Sequence, residues 1–280
     1  MTEWVQVKMA LTQLQSDILR CLAKNRTETS YLAGGLMLNK NWQRGSDDID
    51  IFHDTDEEVA GAAMADLAIL EDAGYRTHKD VLTYGCVEAT ISDGHAATII
   101  QWFSETKRRF FPLVKDEDWG TRLHQADLAV NKVLAASGRS KARDIADLIA
   151  IAHNYCPLGP LIVAAAGKPP NFSPRRTIDE IRRHALSIPA EEYLAVKGLP
   201  TDWSPEFIRD EVGRQLDIAE KYANASSNLL GVLAVDKNGV PIELPNGKRD
   251  NAILRKATEE PEVMPSPSKF DAVGWSSKHV

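Results

Sequence analysis

Residues 31–52 read Tyr31-Leu-Ala-Gly-Gly-Leu-Met-Leu-Asn-Lys-Asn-Trp-Gln-Arg-Gly-Ser-Asp-Asp-Ile-Asp-Ile-Phe52. The apolar run Tyr31 to Ala33 predicts a short buried strand. Gly34 and Gly35 end it, and Leu36 to Leu38 predicts a short helix directly after them. A polar loop then leads through Arg44 to Ser46 and into Asp48-Ile49-Asp50-Ile51-Phe52. Side chains alternate faces along a strand, so Asp48 and Asp50 share one face while Ile49 and Ile51 point to the core. Two carboxylates on one strand face repel each other, and a divalent cation relieves the repulsion. Hard oxygen ligands beside a phosphate suit Mg²⁺. The glycines fit the same chemistry: a backbone without Cβ atoms can approach a triphosphate closely, and N–H groups at a helix start favour anions.

Outward from this stretch, the composition is ordinary. A hydrophobic content of 43% is ample for a core, and the formal charge of −7 argues against a protein that coats nucleic acid non-specifically. RNA held in a local basic groove stays compatible with it. Cys21, Cys86 and Cys156 have no paired spacing, which points away from zinc or a disulfide framework and toward a reducing cytoplasm. The N-terminus shows no basic-then-apolar signal pattern, and no apolar run is long enough to span a bilayer, so no membrane partner is expected.

Val7, Leu11, Leu14, Ile18 and Leu22 recur at helical spacing and predict a helix over 3–24. His53 falls in the turn after the acidic strand and reads as a surface histidine. Thr55-x-x-Glu58 has the form of a capping box for a helix burying Val59, Ala63, Leu67 and Leu70. Residues 75–103 predict two or three strands. Val81 to Thr90 is one candidate, Ser92-Asp93-Gly94 is a turn signal, and Ala97 to Phe103 is a well-marked strand. Lys107-Arg108-Arg109 reads as a solvated turn or part of a phosphate-facing rim.

Residues 124–154 hold the second informative block. A helix from Asp127 to Ala135 carries the apolar stripe Ala126, Ala129, Val130, Val133 and Leu134. Lys132 falls outside that stripe, so its ammonium can face a cleft. A second helix over 141–153 buries Ile145, Leu148, Ile149 and Ala152. Asp144 and Asp147 share a face of it, with Arg143 spaced for a surface ion pair to Asp147.

Together these motifs resemble the nucleotidyltransferase superfamily related to DNA polymerase beta, in the form carried by AbiEii-type toxin nucleotidyltransferases. The family pattern runs Gly-Gly, a helix, then Arg-x-Ser-x-Asp-Ile-Asp. It meets Gly34-Gly35 and Arg44-Gly45-Ser46-Asp47-Asp48-Ile49-Asp50. Asp127-Leu128-Ala129, Lys132, Ala135, Arg139 and Ala142-Arg143-Asp144-Ile145-x-Asp147-Leu148 resemble its later motifs, so the likeness spans residues 28–155. It implies Mg²⁺ on Asp48 and Asp50, with Gly34, Gly35, Arg44 and Ser46 around the triphosphate. It also implies Lys132 on the phosphates and Asp147, less directly Asp144, supporting the site. A third carboxylate, which completes the metal site and serves as base, belongs on the strand that here carries Gln101. Glu88 on the neighbouring strand is the nearest substitute.

The expected fold is α/β: a small mixed-sheet nucleotidyltransferase core over 1–120 with its N-terminal helix, then a mainly helical domain over 121–245 closing the nucleotide cleft. A weakly ordered tail over 246–280 follows. The implied activity is transfer of a nucleoside monophosphate from a nucleoside triphosphate to an RNA, such as tRNA, or to a protein, as in the toxin of a toxin–antitoxin pair with its antitoxin partner. Two alternatives stay open: a small-molecule nucleotidyltransferase, and a catalytically weakened nucleotide-binding module. Further along, Cys156 to Phe172 reads as a linker with a short apolar helix, and Thr177-x-x-Glu180 as another capping box. Arg175, Arg176, Arg182, Arg183 and His184 form the densest basic cluster, able to hold an RNA backbone or simply to face solvent. Ser204-Pro205 starts a helix through Tyr222, and Asn238-Gly239 turns a hairpin over Val232 to Leu244.

Overall fold

The run Ser30–Ala33 forms strand β1, buried along its whole length. The computed structural model of the chain describes residues 11–39, 44–244 and 252–260. The chain folds as two units. The first contains the described residues up to Thr106, with Leu113–Leu123 and Lys197–Pro200; the second contains Lys107–Pro112, His124–Val196 and the described residues from Thr201 onward.

In the first unit β1 runs into helix α2 (Gly34–Leu38) and pairs antiparallel with β2 (Asp48–His53). Helix α3 (Asp56–Asp72) leads to the hairpin β3 (Arg76–Thr83) and β4 (Cys86–Ser92), then to β5 (Ala97–Ser104). Two short strands, β6 (Val114–Asp116) and β7 (Gly120–Arg122), complete a seven-stranded sheet in the order β3-β4-β5-β2-β1-β7-β6. β2 pairs parallel with β5 and β1 parallel with β7, so the sheet is mixed. The alternation read in the sequence sorts its faces. Ile49, Ile51, Val87, Ala89, Ile91, Ile100 and Trp102 are buried on one face, packed with α3 and α1 (Gln13–Leu22). Asp48, Asp50, Glu88, Ile99 and Gln101 on the other face are only half-buried. Asp66 in α3 ties the buried layer together: it accepts from Trp102 Nε1 at 2.7 Å, Asn25 Nδ2 at 2.8 Å and Arg26 Nη2 at 2.5 Å.

Several local expectations change in this unit. α1 starts at Gln13, where Thr12 and Gln15 form a reciprocal capping box; Val7 lies outside the described residues. Thr55 is the N-cap of α3 but its side chain caps nothing there, so the predicted Thr55–Glu58 box does not form. The predicted strand Val81 to Thr90 is interrupted by a turn at Tyr84–Gly85, where Gly85 has φ +72°. His53 is no surface residue: it is the last residue of β2 and 1% exposed.

The second unit is mainly helical. α4 (Gln125–Gly138), α5 (Ala142–Asn154), α7 (Pro174–Ser187) and α9 (Pro205–Ala225) pack with α6 (Leu158–Ala165) and the short α8 (Ala190–Leu194). The short apolar helix expected in the stretch 156–172 forms, but every residue of α6 is buried, so it is a core helix rather than part of a linker, apolar all round as such a helix must be. Gly159 allows that packing, because a Cβ there would come within 2.8 Å of the Tyr222 ring. α7 begins one turn earlier than predicted, capped by Ser173, with Thr177 buried inside it. The Asn238-Gly239 turn forms and brings Pro241 and Ile242 back to pair with Val235 and Ala234, while β8 (Val232–Val235) takes β9 (Ile253–Lys256) as its full ladder partner. The expected weakly ordered tail includes residues 252–260. Instead Leu254 and Ala252 pack on a cluster with Val163, Leu229, Ala234 and Leu244, and Thr258 exchanges two backbone hydrogen bonds with Arg109. Arg109 is therefore 5% exposed rather than part of a solvated turn.

Candidate active site

In the first unit, strand register builds the site. Ala33 sits opposite Asp50 across β1 and β2, which brings the following glycine against the Asp50 side chain. Gly34 has φ +69°, and a Cβ built there would lie 1.6 Å from Asp50 Oδ2. Conformation and space thus both demand glycine. A Cβ on Gly35 would lie 2.7 Å from Arg44 Nη2 and 3.7 Å from Ser46 Oγ. Gly34, Gly35, Arg44, Ser46 and Asp50 therefore meet at one corner of the sheet, and Asp48 lies on the same face of β2 as Asp50. Arg44 is 7% exposed and its Nη1 donates to the Gly45 carbonyl at 2.9 Å.

Beside this corner the row of cross-strand neighbours runs Asp50, Gln101, Glu88. Gln101 is the residue next to Asp50; Glu88 is one strand further and accepts a short hydrogen bond from the Gln101 amide. The two carboxylates on β2 match what Mg²⁺ asks of a protein when substrate phosphates supply other ligands. Among the described residues, no group of three or more His, Cys, Asp or Glu side chains forms a metal-binding cluster.

The second unit carries the later motif. Lys132 of α4 reaches Asp144 Oδ1 at 2.7 Å and Asp147 Oδ2 at 3.0 Å on α5, and Arg139 Nε binds Asp144 Oδ2 at 2.8 Å. Both carboxylates have no exposed side-chain surface. Burial pushes the Asp144 pKa up, but Lys132 and Arg139 outweigh burial and hold the carboxyl well below its ordinary range. The expectation that the Lys132 ammonium faces out of the packed stripe, with Asp147 in a surface pair, is thus revised. Lys132 is 8% exposed, because two desolvated carboxylates require a cation between them. Asp127, at the head of the same motif, accepts the Phe110 and Phe111 N–H groups at 3.0 Å and Lys168 Nζ at 3.0 Å. Its role is to anchor residues 107–112. In the α7 basic cluster, Arg182 pairs with Asp217 at 2.6 Å and Arg183 with Glu180, and Arg176 stacks on Phe172 at 3.8 Å.

No family model matches the chain, and no curated protein matches it. Among solved structures it is similar to MenT4, a nucleotidyltransferase toxin of Mycobacterium tuberculosis, with a TM-score of 0.53 at 12% identity over 74% of this chain and 82% of that one. The chain has the nucleotidyltransferase fold. A protein of H. pylori assigned as a nucleotidyltransferase superposes with a TM-score of 0.47 at 17% identity, covering 76% of this chain and 98% of that one. Cid1, an RNA terminal uridylyl transferase, gives 0.27 at 12% identity, over 86% of this chain and 69% of that one.

Around the nucleotidyltransferase sheet, sequence reasoning missed three residues. Gln15 of α1, 1% exposed, donates to the Ser46 carbonyl at 2.7 Å, and Thr98 Oγ1 donates to the Asp47 carbonyl at 2.9 Å. These two bonds fix the main chain that delivers Asp48. Lys197 Nζ lies 2.7 Å from Asp47 Oδ1. Only Gln15 had a local signal, its place in the Thr12 capping box. Among the described residues no helix is long and apolar enough to cross a membrane.

Proposed function

We propose that the protein is a Mg²⁺-dependent nucleotidyltransferase of the AbiEii type that transfers a nucleoside monophosphate from a nucleoside triphosphate to an RNA, such as tRNA, or to a protein acceptor. The observation that carries this reading is the corner where the side-chain-free Gly34 lies against the half-buried Asp50, with Asp48 on the same strand face. Asp48 and Asp50 would hold the metal, which when bound neutralises phosphate charge and aligns the triphosphate. The Gly34–Gly35 main chain, Ser46 and Arg44 take the β and γ phosphates. Lys132, Asp144 and Asp147 form a buried charge network that ties α4 to α5 within the second unit. The acceptor hydroxyl oxygen bonds to the α-phosphorus as the bond to pyrophosphate breaks and the hydroxyl proton passes to Glu88 or to solvent; positioning with electrostatics supplies most of the rate. A cytoplasmic toxin restrained by an antitoxin is the biological setting that fits the AbiEii resemblance and the likeness to the MenT4 toxin fold.

A second reading, a catalytically weakened nucleotide-binding module, is favoured by one observation: the residue beside Asp50 is Gln101. A glutamine amide orients a hydroxyl but cannot accept its proton. The test of the main reading is a thermal-shift panel of the four nucleoside triphosphates with and without Mg²⁺. Release of labelled pyrophosphate with bulk tRNA or lysate protein as acceptor follows it. The expected result is Mg²⁺-dependent stabilisation, about 2.7 kcal/mol at a hundredfold excess over Kd. No shift with any triphosphate rejects it.

A further inference from the structure

The open face of the first unit's sheet presents Asp48, Asp50 and Glu88, with the exposed Asp47 in the bend just before β2, a combination that repels a polyanion approaching without cations. One side chain at its rim is built to counter this. Residues Lys197–Pro200, from the connection between α8 and α9, belong to the first unit, and Gly198 turns the chain directly after Lys197 with φ +73°. The Lys197 ammonium lies 2.7 Å from Asp47 Oδ1, one residue before the metal-binding pair. The contact is no structural clamp: the side chains are 72% and 64% exposed, and exposed pairs of this kind contribute little to stability. The ammonium feels Asp48 as well as Asp47, and both hold its proton more tightly than usual, so it stays a cation.

We propose that Lys197 is a phosphate-binding residue of this site: its ammonium rests on Asp47 in the free protein and transfers to the triphosphate when nucleotide lies on the Asp48–Asp50 face. The assignment rests on the nucleotidyltransferase reading above. A lysine suits the task because its flexible stem and three donors let a point charge follow the phosphates without a fixed fork geometry. Asp47 then acts as a competitor for the ammonium, not as a ligand.

The experiment titrates Mg²⁺–ATP, Mg²⁺–GTP, Mg²⁺–CTP and Mg²⁺–UTP into the full chain by calorimetry, with the matching monophosphates as controls. For the triphosphate that the wild type prefers, Lys197→Ala is expected to bind about 10- to 100-fold more weakly, the range of one charged hydrogen bond. Monophosphate binding should change little, Lys197→Arg should keep most of the affinity, and Asp47→Asn should raise it by freeing the ammonium. Unchanged triphosphate affinity in Lys197→Ala overturns the assignment while leaving the nucleotidyltransferase reading intact. Equal losses in Lys197→Ala and Asp47→Asn also overturn it, because that pattern belongs to a loop clasp. A wild type that binds no triphosphate overturns both.

Discussion

The two acidic motifs of this chain meet opposite fates. On the first unit's sheet, Asp48 and Asp50 remain half-exposed on an open face, while in the second unit Asp144 and Asp147 have no exposed surface and close on Lys132. The first pair is set by strand alternation, a local property that aims both carboxylates outward whatever else the chain does. The second is set by the packing of α4 on α5, which desolvates the acids and makes their cation obligatory. The two carboxylate pairs of this chain thus differ in burial and partner, not in residue type.

The largest effect that would break this comparison is on stability. Lys132→Ala leaves two desolvated acids short of their shared cation and is expected to cost about 3–5 kcal/mol in urea unfolding. A loss below about 1 kcal/mol would put Lys132 in the same class as the open-face residues.

Next in size is a rate effect. If Gln101 beside Asp50 leaves the reaction without a base, Gln101→Asp raises labelled pyrophosphate release by up to about 10²-fold, the low end of what a general base supplies, and Glu88→Gln changes it little. If Glu88 is the base, Glu88→Gln abolishes transfer and Gln101→Asp only adds an unpaired charge. Activity that survives both substitutions unchanged would reject both assignments.

Removing the chain from Lys248 onward deletes β9, whose residues pair with β8 and pack on the Val163 cluster. The truncation is expected to cost the second unit about 1–3 kcal/mol, the burial of one or two aliphatic side chains. It should leave triphosphate affinity within about twofold once the protein is folded, as expected of a change that leaves the binding groups in place. An unchanged melting temperature would show that β9 is dispensable.

Acid acts in two stages. Burial, reinforced by Arg26, pushes the His53 imidazole pKa down, so the folded first unit keeps it neutral. The unfolded chain takes a proton below about pH 6.5, and stability contributed by a neutral His53 is lost as pH falls through that value. In the second unit Asp144 is held low by Lys132 and Arg139, and Glu211 is pulled down to about 2, chiefly by Arg214. Depressed carboxyl groups contribute stability that is full above the unfolded value of about 4 and lost as pH falls below it. Urea midpoints should therefore decline in two stages, and His53→Leu should erase only the first. A single decline below about pH 4 in the wild type would contradict the His53 assignment.

What was legible in the sequence follows the same division. Strands β1, β2 and β5, the parity of Asp48 and Asp50 and the glycine pair came from periods of two residues and from the geometry of one turn, while the short β6 and β7 carried no such signal. Most helices came from apolar spacing and from caps such as Ser204-Pro205. What the sequence hid are contacts that leave no local period: the Asp50 carboxylate against Gly34, Gln15 and Thr98 bracing the loop at Ser46 and Asp47, Lys197 on Asp47, and β9 on β8. Lys132 was misjudged because its helical position outside the apolar stripe says nothing of the two acids on another helix. Thr55 and Thr177 show that a capping sequence is permissive: one caps without its side chain and the other sits inside a helix.

The central claim is that Asp48 and Asp50 are held for a metal-bound triphosphate and not for the fold, and Asp50→Asn tests it most directly. Melting temperature and Mg²⁺–triphosphate transfer are measured on the same purified protein. The account predicts an intact fold, more stable by about 0.5–1 kcal/mol because a like-charge neighbour is gone, with transfer abolished. Full transfer in the substituted protein, or a protein that no longer folds, would contradict it.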